Sequence, residues 1–187
     1  MSDRRNYTYL DTSALMRRAE TRARTKTARL AKMEPVLDSI FADPGRSFAC
    51  SELTLLELHS NLTSRLRSHE NSDWDQEWWQ ASIAELMDDI ASEKIDVLPT
   101  PSKGTEQVMT MVKLATQEND RALRAWDAMH AVVAGRWSYE LGSPVTILTS
   151  DGDFDAALQV TNFSRRLQFE NLDVLAQTRE GYDKRNR

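Results

Sequence analysis

Twice in this sequence a short apolar run stops on hydroxyls and a carboxylate and then turns at once into a helix-favouring stretch. The first runs from Asn6 to Leu10, ends on Asp11 and is followed by Thr12 and Ser13; the second, Val145 to Leu148, runs into Thr149-Ser150-Asp151-Gly152-Asp153. An acid so placed stands at the carboxyl end of a strand facing a helix amino terminus, the edge at which open α/β sheets bind ligands. Asp, Ser and Thr are also the preferred helix caps, so either stretch taken alone reads equally as an ordinary cap.

The intervening chain supplies further strands and helices. Ser13 to Ala23 and Thr25 to Phe41 read as helices, the second closing at Asp43-Pro44-Gly45, and Ser47 to Cys50 reads as a strand. Ser51-Glu52 opens a helix with Leu55, Leu58, Leu62 and Leu66 at helical spacing and Thr54, Glu57 and Asn61 on its flank. Lys94 to Leu98 is the next strand, and Ser102 to Thr116 and Leu123 to Leu141 are helices. The latter carries Trp126, Met129, Val133, Trp137 and Leu141 as an apolar stripe, with Ala128, Ala131, Ala134 and Gly135 for close packing. Asp127 and His130 share a face, three residues apart, and an aspartate inside a helix among small residues runs against propensity. A last strand is expected at Asn171 to Leu175, followed by a polar tail over 177–187. Alternating strands and helices imply a three-layer α/β/α domain over 1–176 with a parallel sheet of about five strands.

The formal net charge is −5, but eight acids lie between Glu70 and Glu93 without a Lys or Arg, so the rest of the chain carries +3. That segment, about 70–93, is Trp-rich (Trp74, Trp78, Trp79), and Trp79, Ile83, Leu86 or Met87, and Ile90 follow helical steps. It reads as an amphipathic helical insertion, its aromatic end either core or a partner surface. Met16 to Arg29 is the converse, basic except for Glu20, and makes Arg17, Arg18 and Arg22 candidates for holding phosphates beside Asp11; a solvated helix face is the competing reading. One cysteine, Cys50, cannot form an internal disulfide, and no apolar run approaches the ~20 residues needed to span a bilayer. These features, with an amino terminus that leaves no room for an apolar signal segment, lead to the expectation of a cytoplasmic protein with no membrane contact.

Asp11 and Asp151 at strand ends and Glu57 and Asp127 on flanking helices would repel one another unless a cation neutralised them. All-oxygen ligands select a hard ion, Mg2+ or Mn2+, and that chemistry suits phosphodiester hydrolysis. Thr12, Ser13 and Thr149 are expected to orient carboxylates or phosphate by hydrogen bonds, since no His is placed to activate them as nucleophiles. Asp153 is a possible auxiliary acid. His130 is given a packing or supporting role, because hard oxygen sites do not call for imidazole.

Tyr-Leu-Asp-Thr-Ser-Ala-Leu at 9–15, Ser-Glu-Leu-Thr-Leu-Leu-Glu-Leu at 51–58, Leu-Arg-Ala-Trp-Asp-Ala-Met-His at 123–130 and Leu-Thr-Ser-Asp-Gly-Asp-Phe at 148–154 resemble, in order, the four motifs of PIN domains. The chain most resembles the toxin ribonucleases of VapBC toxin–antitoxin pairs. That resemblance implies an Mg2+- or Mn2+-dependent endoribonuclease with Asp11, Glu57, Asp127 and Asp151 as catalytic and metal-binding acids, an RNA substrate, a homodimer, and a small antitoxin that blocks the site. The acidic Trp-rich segment is longer than the connection usual in these toxins. Competing readings are a PIN-fold module that binds RNA or protein through a weakened site, and a structure-specific DNA nuclease of the flap type. A phosphatase using Asp11 fits less well, because Ser13 stands where its companion Asp would be.

Overall fold

The computed structural model describes residues 5–22, 27–67, 76–92, 94–119, 123–152, 154 and 166–185. The elements are β1 (Asn6–Leu10), α1 (Thr12–Thr21), α2 (Ala28–Phe41), β2 (Arg46–Ser51), α3 (Glu52–Arg67), α4 (Gln76–Ala91), β3 (Ile95–Leu98), α5 (Gly104–Asn119), α6 (Ala125–Leu141), β4 (Val145–Thr149), β5 (Leu167–Asn171) and α7 (Leu172–Arg185).

All strands are parallel, in the order β3-β2-β1-β4-β5. Side chains alternate across such a sheet, and the core divides accordingly. Leu10, Cys50 and Leu148 face the side covered by α1 and α2, where Leu15, Met33 and Leu37 are buried; Tyr9, Ala49 and Ile147 face α6, packed against Val133, Ala134 and Trp137. Helix α5 lies outside α6, joined to it by Val108, Met111, Ala128 and Val132. These are the three layers expected from the alternation of elements.

Strand order fixes where a ligand can sit. The chain runs outward from β1 through β2 to β3, then returns to place β4 on the other side of β1. Neighbouring crossovers thus leave on opposite faces, and a crevice opens between the carboxyl ends of β1 and β4. Those ends carry Asp11 and Asp151.

Three expectations need correction or refinement. The last strand is Leu167–Asn171, not Asn171 to Leu175, because the Asn171 carboxamide accepts from the amides of Asp173 (2.9 Å) and Val174 (3.3 Å) and so starts a helix. That helix, α7, runs to Arg185, so 177–187 is not a bare polar tail. Leu172 and Ala176 enter the core one turn apart, Asp173 pairs with Arg29 (2.7 Å), and Arg179 donates to the carbonyl of Pro35 at 2.7 Å. In α6, Trp126 is 55 % exposed and does not belong to the buried stripe; the helix buries its small-residue face instead.

Within the acidic segment, Gln76–Ala91 is helix, and Leu86, Ile83 and Ile90 pack on the α1 side of the core while Met87 faces out. The segment is thereby part of the domain's packing. Trp74 lies outside the described residues, as do the side chains of Trp78, Trp79, Leu62 and Leu66. Cys50 is a buried packing residue, its thiol pushed up to about 12 by burial and then by the nearby Asp96 charge. Among the described residues no helix is long and apolar enough to cross a membrane.

Candidate active site

Asp11 serves as both cap and cleft residue. Its Oδ1 accepts from the Ala14 amide at 2.7 Å, closing the first turn of α1. Ser13 donates to its carboxylate at 2.9 Å and Thr149 at 2.5 Å. The same two hydroxyls tie the end of β4 to α1: Ser13 accepts from the Ser150 amide (2.7 Å) and Thr149 from the Asp151 amide (2.9 Å). Thus the hydroxyls of both sequence motifs hold Asp11 and the Asp151 turn at one edge.

Glu57, on α3, comes to that edge beside Asn61 and Ser64, a stripe at helical spacing. Its Oε2 accepts from the Thr12 hydroxyl, and the same atom lies 2.8 Å from Nε2 of His130. Asp127 and His130, one turn apart at the start of α6, complete the wall. All four sequence-chosen acids, Asp11, Glu57, Asp127 and Asp151, line a single cleft of about 360 Å³.

The acids differ in electrostatic state. Burial raises the Asp11 carboxyl, against the hydrogen bonds from Thr149 and Ala14. Asp127 is pushed up to about 6, first by burial and then by the charge of Asp151, with Asp11 adding to it and His130 and Arg124 opposing. Glu57 is partly buried, which acts to raise it, but hydrogen bonds from His130 and Thr12 bring it below the ordinary range. One oxygen of Asp127, Oδ2, is buried without a hydrogen-bond partner among the described residues.

An unpartnered carboxylate oxygen among like charges fits a hard divalent cation in donor chemistry. Among the described residues, however, no three His, Cys, Asp or Glu side chains are gathered closely enough to hold a metal by themselves. Magnesium commonly retains waters and uses one or two carboxylates together with substrate phosphates, so an open acidic cleft is compatible with that ion where a closed cage would be needed for others.

The basic candidates separate. Arg17 lines the cleft and pairs with Glu20, which lines it too. Arg18 and Arg22 do not: they line a second cavity of about 620 Å³ with Arg5, Arg46, Lys94 and Phe41, at the amino end of the strands. There Arg18 pairs with Asp38 and stands 4.8 Å from the ring centre of Phe41, and Arg22 pairs with Glu85. Helical rotation explains the split, since Arg18 is turned from Arg17 by about 100° and Arg22 lies more than a turn further from the acids. Arg24 and Lys26 lie outside the described residues, as does Asp153. Arg124, at the N-cap position of α6, lines the cleft and was not singled out from sequence; its signal was a cation three residues before the helical aspartate.

No protein-family model matches the chain, and no curated protein matches it in sequence. Solved structures do match. FitAB bound to a DNA fragment is 18 % identical over 89 % of this chain and 95 % of that one, with a TM-score of 0.56. VapBC2 from Rickettsia felis, bound to a DNA fragment from its promoter, is 13 % identical over 88 % and 98 %, TM-score 0.53. VapBC-5 from Mycobacterium tuberculosis, a member of the VapBC family of toxin–antitoxin systems, is 19 % identical over 88 % and 98 %, TM-score 0.52. With identities below one fifth, what is shared is the architecture: this chain has the three-layer α/β/α PIN-like fold found among VapBC and FitAB structures.

Proposed function

We propose that the chain is a divalent-metal-dependent endoribonuclease acting as the toxin of a toxin–antitoxin pair. The observation that carries this reading is the meeting of Asp11, Glu57, Asp127 and Asp151 in one cleft at the β1/β4 edge. The solved structures of similar fold, which are toxin–antitoxin complexes, support the partner. A small antitoxin covering the acidic cleft and a homodimer of the toxin belong to the same proposal, as does a cytoplasmic location.

In this reading Mg2+ or Mn2+ would be held by the Asp11, Glu57, Asp127 and Asp151 cluster together with waters and substrate phosphates. What these residues would gain from such an ion is a water of lowered pKa and positive charge to steady the leaving oxygen. The chain's own contribution is positional. Ser13 and Thr149 fix the Asp11 carboxylate, Thr12 and His130 fix Glu57, and Arg17 and Arg124 supply positive charge for the RNA phosphates.

The test is cleavage of single-stranded and loop RNA with Mg2+, with Mn2+ and with EDTA, beside DNA of the same sequence. Metal-dependent cutting of RNA is expected; cutting of DNA alone would turn the assignment to the flap-type nuclease. One observation favours a binding module with a weakened site, namely that the described acids do not by themselves form a metal cage. RNA binding without cleavage at millimolar Mn2+ would establish that module instead.

The arginines give a separate expectation. Arg17→Ala and Arg124→Ala should each lower the slope of log affinity against log salt by about 1, as each removes one phosphate contact. Arg18→Ala and Arg22→Ala should leave the slope unchanged. Filter-binding titrations over a salt series with the metal replaced by EDTA read this directly, and a slope change confined to Arg18 and Arg22 would move the RNA path to the other end of the sheet.

A further inference from the structure

A chain of buried polar groups runs from the interior of the sheet to Glu57. Tyr9, at 0 % exposure, donates its hydroxyl to Oγ of Ser51 at 2.8 Å, with Oγ1 of Thr54 at 3.4 Å. Ser51 and Thr54 bind each other at 3.0 Å and exchange hydrogen bonds with each other's amides at the start of α3. On its other side the Tyr9 oxygen lies 2.8 Å from Nδ1 of His130, a residue only 2 % exposed. Nε2 of that ring meets Oε2 of Glu57 at 2.8 Å.

The donor count fixes the direction of the chain. Tyr9 has one hydroxyl hydrogen, and it goes to Ser51, so Nδ1 of His130 donates to Tyr9. Nε2, on the far side of the ring, is engaged with Oε2 of Glu57. With both nitrogens engaged, the imidazole cannot rotate without stranding a buried group, which is expensive in a site this dry. The ring also packs at 5.8 Å from Tyr9 and 6.3 Å from Phe154, centroid to centroid. Thr12 donates to the same Glu57 oxygen from the first turn of α1. A glutamate with three free torsions on a partly exposed helix face is therefore clamped from α1 and α6 together.

We propose that His130 is a positioning residue that aims Glu57 at the metal-binding cleft, and that Tyr9, anchored by Ser51 and Thr54, sets the orientation of His130. This rests on the metal-dependent reading above. Groups that hydrogen-bond to metal-binding side chains fix their orientation, and their loss typically weakens metal binding or activity about 10- to 100-fold. A histidine that served packing alone would affect stability and leave metal affinity unmoved.

Mn2+ binding by the full chain, measured by calorimetry or by loss of the free-ion electron paramagnetic resonance signal, separates the two roles. His130→Leu keeps most of the ring's volume and is expected to bind Mn2+ about 10- to 100-fold more weakly, with kcat on RNA reduced by a similar factor and KM little changed. His130→Gln, whose amide can donate to Glu57, should recover part of the lost affinity, and Tyr9→Phe should lose affinity in the same direction to a smaller extent. Wild-type Mn2+ affinity in His130→Leu overturns the proposal, whatever its melting temperature. If that variant does not fold, unchanged affinity in both His130→Gln and Tyr9→Phe overturns it equally. Asp11→Asn is the control: should it bind Mn2+ like wild type, or wild type not bind at all, the metal reading fails and this inference falls with it; should Asp11→Asn lose binding while the His130 and Tyr9 variants keep it, only the positioning role is wrong.

Discussion

Asp11→Asn is expected to lower kcat/KM for RNA cleavage by on the order of 10²- to 10³-fold, the range for removing one group that stabilises charge at a reacting centre, while leaving the fold intact. The two halves of that expectation have different origins. Asparagine caps helices as well as aspartate does, so its carboxamide oxygen can still accept from the Ala14 amide and keep α1 in place. What the substitution removes is the charge. Asp11 is 3 % exposed and sits where burial already disfavours its ionised form; neutralising it removes an electrostatic cost in the metal-free protein and a ligand in the loaded one. Circular dichroism and melting in EDTA should therefore match or exceed wild type, while cleavage collapses. Cleavage at the wild-type rate on the same RNA would show that Asp11 is a cap and no more.

That Asp11 both caps and lines the cleft shows why two readings of one stretch could not be separated in sequence. The residues that make a helix start are the residues that make a ligand edge, and only strand order decides whether the edge is a crevice. The strand order places β1 next to β4, so the two motifs that looked alike in sequence are adjacent in space. Alternation of apolar runs made the sheet legible, because each strand is short and is bounded by turn residues or hydroxyls. Less legible were features set by direction. Residues 171–175 alternate like a strand, yet one carboxamide at Asn171 diverts them into a helix. Arg17, Arg18 and Arg22 form one basic run, yet helical rotation sends one to the cleft and two to the far end of the sheet. Trp126 fits an apolar stripe by spacing but faces out, because α6 packs through its alanines. Tyr9 reads as an ordinary strand aromatic, and nothing local reveals that its hydroxyl meets a histidine 121 residues away.

Asp151→Asn should melt above wild type in EDTA at pH 7.5 and below it in Mg2+. The first half follows from Asp127, whose carboxyl is pushed from 3.8 to about 6 by burial and, next, by the charge of Asp151. A carboxyl raised in the folded state favours folding while protonated: the contribution is fully present below the unfolded value and is lost as pH rises through about 6. At pH 7.5 the metal-free wild type therefore carries the whole repulsion between Asp127 and Asp151, and at pH 5 much less. Asp127 is partly exposed, so solvent screening reduces the effect to on the order of 1 kcal/mol. For a chain of this size that corresponds to roughly 2–4 °C in melting temperature. The gap between mutant and wild type should narrow at pH 5, where Asp127 of the wild type is largely protonated and no longer repels Asp151. Mg2+ should invert the order, because an ion bound to the native state would add about 2.7 kcal/mol at one hundred times its dissociation constant, and the mutant would lack one of the proposed ligands. Scanning calorimetry of both proteins at pH 5 and 7.5, with EDTA and with millimolar Mg2+, gives all four comparisons. A wild type that is the more stable in EDTA at pH 7.5, or a Mg2+ shift equal in the two proteins, would remove Asp151 from the metal site and leave it as a residue of the turn that follows β4.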